Sequence, residues 1–184
     1  MQRMACGMLS ALLVATCVMP ALAQDAKPQA AKPLAALPAS GFQFQGQWDC
    51  AGAFANGKTH RSSFTGNVIL AGKWLQLTEQ DIEPATGYVA EYLIGYDGQQ
   101  KRLVEFDANN FGAATYSSAD GWVNGVLTMT SAVSDDPKAP YAANRFVYSA
   151  TAADTFTVDW QIRKSSASNW MNADHLVCRS GKHA

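Results

Sequence analysis

Few residues in this chain could hold a metal or carry out a reaction, and they are scattered. There are three histidines in 184 residues: His60, His175 and His183. A metal site needs several His, Cys or carboxylate ligands brought together, and this spacing does not supply one. Glu79, Asp81 and Glu83 alternate with period two, so on a strand they share one face. Such a trio could bind calcium weakly, but the commoner outcome, a solvated outer face, is the expectation. Asp135 and Asp136 beside Pro137 read as a solubilising loop. There is no G-x-S-x-G elbow and no glycine-rich phosphate loop. The expectation is therefore a protein without catalytic residues, metal or cofactor, not an enzyme, although carboxylates beside tyrosines inside a barrel keep a capacity for acid–base work.

The four cysteines are Cys6, Cys17, Cys50 and Cys178, and the start of the chain decides which of them count. Arg3 gives a positive n-region, and Met4 to Ala23 carry no charge. Leu9, Leu12, Leu13, Val14 and Val18 form an apolar stretch that Pro20 breaks, and Ala21-Leu22-Ala23 is an A-x-A cleavage site. These are the parts of a secretory signal peptide over residues 1–23. Cleavage after Ala23 makes the protein periplasmic or secreted, with no membrane span. An alternative exit is lipidation at Cys17, since Val14-Ala15-Thr16-Cys17 has the outline of a bacterial lipobox; Thr16 fits that pattern poorly. Removing the leader discards Cys6 and Cys17. Cys50 and Cys178 remain, and in an oxidising compartment they have one connectivity.

Residues 24–41, rich in Ala, Pro and Lys, carry too little apolar bulk to pack and read as a disordered linker. Residues 42–180 read as one domain. Period-two alternation recurs there, broken by turn signals such as Asn56-Gly57 and Asp97-Gly98. About ten strands follow one another with short connections, which makes neighbours antiparallel. Trp122 to Ser131 reads as one of these strands. Cys50 falls on the first strand and Cys178 on the last. Bonded cysteines have Cα atoms within about 7 Å, so the pair makes first and last strands neighbours. The expected fold is all-β: a closed up-and-down antiparallel barrel. The formal net charge of −1, without a Lys/Arg stripe, offers nothing to a nucleic acid.

Strand parity then assigns faces. Trp48 shares a face with Phe44, Cys50 and Phe54, taken as inward. Trp74, Gln76 and Thr78 share one face with Gln80 and Ile82. Tyr92 and Tyr96 share another with Tyr88 and Ile94. If these line the lumen, it offers aromatics with a few hydroxyls and amides. That suits a small, mostly apolar ligand, unless the side chains fill the barrel. His175 lies on the face opposite Cys178, and so points out of the barrel. Tyr141 and Trp170 are expected as exposed aromatics.

Gly46-Gln47-Trp48 on the first strand resembles the G-x-W signature of lipocalins and wider calycins. The resemblance implies that Trp48 plugs the closed end of the barrel. Gly72-Lys73-Trp74-Leu75 and Gly95-Tyr96-Asp97 resemble an uncharacterised family of bacterial lipocalin-like proteins, a β-meander with no assigned function. A weaker resemblance is to nitrobindin, whose haem is held by a histidine near the C-terminus; His175 sits at a similar position, but its outward parity opposes that role. The expected function is an exported carrier or sensor of a small hydrophobic ligand. The alternative is an envelope protein–protein interaction module with a filled barrel and no ligand.

Overall fold

The computed structural model describes residues 33–165 and 168–181. Residues 1–23, expected to be a signal peptide, and the first part of the Ala/Pro-rich segment lie outside the described residues. Alternating apolar and polar side chains on a chain punctuated by glycine turns produce eleven strands. They are β1 (Gly46–Phe54), β2 (Thr59–Ile69), β3 (Trp74–Glu83), β4 (Val89–Asp97), β5 (Arg102–Asn109) and β6 (Gly112–Ser118), then β7 (Trp122–Val123), β8 (Val126–Ser131), β9 (Ala143–Ala152), β10 (Thr155–Arg163) and β11 (Met171–Ser180). Pairing is antiparallel throughout, in the order β6-β5-β4-β3-β2-β1-β11-β10-β9-β8-β7. Tyr116 opposite Ser131 and Ser117 opposite Thr130 join β6 to β8 and close the barrel. Ten strands form the closed wall, and β7 is a two-residue flap on β8.

The stretch Trp122–Ser131 is not one strand. Asn124 and Gly125 both have positive φ, 51° and 79°, and turn the chain into a tight hairpin. Asn-Gly is the dipeptide that tolerates this conformation, so the break has a local cause.

First and last strands pair from Trp48 opposite Ser180 to Phe54 opposite Asp174. Cys50 and Cys178 stand directly opposite one another in that register and are bonded. The disulfide therefore fastens the β1–β11 junction, and a bond of this kind persists in oxidising surroundings.

The two ends of the barrel differ. At the base, Phe42, Phe44, Trp48 and Phe156 pack edge to face, with ring centroids 4.8 Å (Phe42–Phe44), 5.1 Å (Phe44–Phe156) and 4.9 Å (Trp48–Phe156) apart. The Trp48 indole N–H donates to the Phe44 carbonyl at 2.8 Å. Gly66 makes this crossing feasible, because a Cβ there would lie 1.9 Å from the Phe44 oxygen.

The expectation of an unpacked linker over 24–41 fails at its C-terminal end. Ala36 is buried, Leu34 and Leu37 pack against the core, and the Trp122 indole N–H donates to the Ala36 carbonyl at 3.0 Å. Two leucines suffice because the aromatic base presents an apolar surface that must be covered. Residues 33–45 thus form a plug at the base.

The enclosed loop sets the size of the disulfide's effect. For a sequence separation of 128, restriction of the unfolded chain stabilises by roughly 4–5 kcal/mol. Replacing Cys50 and Cys178 together by alanine is expected to lower the urea midpoint by a corresponding amount with an altered slope. An unchanged unfolding curve would show that closure does not rely on the bond.

Candidate functional site

The lumen is set by which side chains face inward, and the six residues singled out above divide evenly. Trp48 and Tyr92 are buried in the core, and Tyr96 packs against it. Trp74, Gln76 and Thr78 do not face the lumen, because on β3 it is Leu75, Leu77 and Glu79 that are buried. Trp74 stacks on the outer face against half-exposed Phe106 at 6.3 Å. Its ring lies flat over Gly95, where a Cβ would come within 2.2 Å of it. Gln76 donates to Glu91 across the outer surface. Thr78 lines a shallow outer groove of about 360 Å³ with Val89 and Glu91. A second cleft, of about 480 Å³, opens outside the β6–β8 seam beside Ser117 and Thr130.

The reversal of β3 brings carboxylates inside. Glu79 and Asp81, expected on a solvated outer face, point into the upper half of the barrel, while Glu83 stays exposed. The register shift between Arg61 and Ser62 separates Glu83 from the other two. Across from them on β2, His60 and Ser62 also face inward, 4% and 0% exposed. From β11, Asp174 completes the set. His60 Nδ1 bonds Asp174 Oδ2 at 2.7 Å, and Nε2 bonds Asp81 Oδ1 at 3.0 Å. Phe54 stacks on the imidazole at 4.4 Å. Thr86 Oγ1 donates to the other Asp81 oxygen at 2.8 Å.

These contacts set the protonation. Burial disfavours the His60 imidazolium, but the hydrogen bonds and charges of Asp174 and Asp81 outweigh it and push its pKa up to about 9. Burial raises the Glu79 carboxyl; the Tyr92 hydrogen bond and the His60 charge pull it back, leaving about 7. Tyr92 donates to Glu79 at 2.6 Å and sits 3.2 Å from the Tyr88 hydroxyl. A chain of polar groups thus runs from Glu79 through Tyr92 to Tyr88.

A second buried acid lies nearby. Glu105 is 0% exposed and accepts from the Tyr148 hydroxyl at 3.2 Å. Burial raises its pKa well above the usual carboxylate range, more than the Tyr148 bond lowers it. Asp107, two residues along the same face, is also raised by burial, and Asn109 donates to it at 2.9 Å. Above these acids, half-buried Phe146 meets Tyr92 and Tyr116 edge-on at 5.5 and 5.1 Å. Tyr141 meets Trp160 in the same way at 6.0 Å. The upper barrel thus packs aromatic rings beside buried carboxyl groups.

Tyr141 is therefore packed rather than free. Trp170 is likewise half-buried, with the Arg145 and Arg163 guanidinium groups 4.3 and 5.0 Å from its ring centroid. His175 stands on the outer face as parity requires, paired with Asp159 at 2.6 Å. Among the described residues, no helix is long and apolar enough to cross a membrane.

Parity could have found the polar cluster. His60 lies four residues before Phe64 on one strand, and Asp174 four before Cys178 on another, so each inherits an inward face. No family model matches the chain, and the comparison with curated proteins found no match.

Glu105 supplies a test. Burial holds the folded carboxyl well above the ordinary value of 4.5 at which the unfolded chain releases its proton. This group's stabilising contribution is complete below that pH and is lost as pH rises, by at most about 1.4 kcal/mol per unit. Glu105→Gln keeps an acceptor for Tyr148 and cannot ionise. Its stability relative to the parent protein should rise from pH 4 to pH 8 in paired urea titrations. A difference that does not vary with pH would mean that Glu105 is ionised in the fold.

Proposed function

We propose that this chain is an exported, non-catalytic calycin-like barrel that binds a small molecule in its upper cup. The observation that carries the reading is the contrast between the ends: an aromatic plug seals the base, while half-buried rings surround carboxyl groups at the mouth. The signal-peptide pattern over residues 1–23, with cleavage after Ala23, supports export, and the disulfide agrees with an oxidising destination. His60 supports binding over catalysis, because both its nitrogens are held by carboxylates.

The cup refines the ligand class. A purely apolar molecule would leave Asp107 without a new partner in a site where burial already disfavours its charge. The chemistry favours an apolar or aromatic body carrying an amine or another hydrogen-bond donor. Phe146, Trp160 and Tyr88 would hold the body, with cation–π attraction adding to burial. Tyr92 is buried in the barrel and Tyr96 packs against its core, whereas Trp74, Gln76 and Thr78 lie on the outer face and are not part of the proposed ligand set.

Two dyes of similar size test this. A cationic aromatic dye should bind the mature protein more tightly than an anionic one, with quenching of tryptophan fluorescence. Asp107→Asn should weaken the cationic dye by about tenfold, equivalent to about 1.4 kcal/mol, and leave the anionic one unchanged. Equal affinity for both dyes, or no binding by either, would remove this reading.

A further inference from the structure

The His60 cluster has a feature that ligand binding in the cup does not use. One nitrogen or oxygen from each of His60, Glu79 and Asp81 can be chosen so that all lie within 4.8 Å of one another. We infer that these three side chains form a site for one divalent first-row transition-metal ion. This goes beyond the small-molecule reading and does not depend on it.

The spacing is close to what one ion needs. Nitrogen and carboxylate ligands sit at about 2.0–2.2 Å from zinc in a tetrahedral arrangement, so neighbouring ligand atoms are about 3.4 Å apart. Closing the widest gap, up to 4.8 Å, takes about 1 to 1.5 Å, a movement that a carboxylate side-chain rotation supplies. An imidazole in the set favours zinc, cobalt or iron over calcium and magnesium, which prefer oxygen alone.

The surroundings are those of a metal-ligating histidine. Such a histidine turns its other nitrogen to a carboxylate that orients the ring. Asp174 does this for Nδ1 at 2.7 Å, leaving Nε2 directed at Asp81. The ion would take the place of the proton that Nε2 now shares with Asp81. Asp174 is thus a positioning residue and not a ligand.

Two further observations point to an occupant. Ser62 lies fully buried on the same face, its hydroxyl against the Glu79 carboxyl and without a hydrogen bond of proper geometry. A buried hydroxyl left this way is costly unless something coordinates or bonds it. Moreover, among the described residues none of these three carboxylates forms a salt bridge with a lysine or arginine; histidine is the cationic partner of Asp81 and Asp174. A divalent cation would balance the negative charge gathered here.

The test is titration of the metal-free, disulfide-bonded mature protein with Co²⁺ alone, read by its visible absorption, followed by displacement with Zn²⁺. One ion per chain is expected, with bands of a nitrogen- and oxygen-bound cobalt. Glu79→Gln, which keeps the side-chain shape and an acceptor for Tyr92, should abolish the bands, as should His60→Gln. Asp174→Asn should retain them, shifted, and weaken binding by about tenfold. His175→Gln and His183→Gln should change nothing. Near-ultraviolet circular dichroism checks that each variant is folded; if His60→Gln is not, Glu79→Gln and the cobalt spectrum decide. No uptake by the parent protein, uptake that survives Glu79→Gln, or uptake lost in His175→Gln or His183→Gln would overturn the inference.

Discussion

A carboxylate turned into a β-barrel must find a partner for its charge, and the upper half of this barrel is arranged around that requirement. His60 meets it for two carboxylates at once, Asp174 on one nitrogen and Asp81 on the other. The three groups come from β2, β3 and β11, strands drawn together only when the barrel has closed. Breaking a buried pair by removing one partner costs roughly 3–5 kcal/mol, because the other charge is stranded. The imidazole thus ties the same part of the wall as the disulfide, two residues along β2 from Ser62, which stands opposite Cys50.

The disulfide and the plug explain why the other half can be apolar. Cys50–Cys178 holds β1 against β11, and the base below it is filled by Phe42, Phe44, Trp48 and Phe156. The segment before β1 finishes the seal through Ala36 and Trp122. With the base shut, any chemistry in the interior is confined to the mouth. That is where the tyrosines and carboxyls gather, and their shifted protonation follows from sharing a space with little water.

Much of the fold was legible in the sequence because the signals that define it are local. Alternation marked the strands, Asn-Gly and Asp-Gly marked turns, and the two cysteines of the domain implied closure. The Asn124-Gly125 hairpin was hidden inside an otherwise continuous apolar stretch. The site was harder to read because β3 carries mixed faces. Trp74 and Ile82 weigh towards one side, Leu75 and Leu77 towards the other, and the acids accompany the leucines. What decides is non-local: a histidine on β2 and an aspartate 114 residues away. The two leucines of the linker were passed over for a similar reason, since the surface they cover exists only once the barrel forms.

The central claim is that His60 is a buried imidazolium clamped between two carboxylates. Long-range proton–nitrogen correlation spectra of the metal-free protein, with ¹⁵N-labelled histidine, test it most directly. The account predicts that both ring nitrogens of His60 are protonated at pH 7.5 and that the ring loses a proton only near pH 9. A neutral His60 at pH 7.5, titrating near the ordinary value of 6.5, would contradict the clamp.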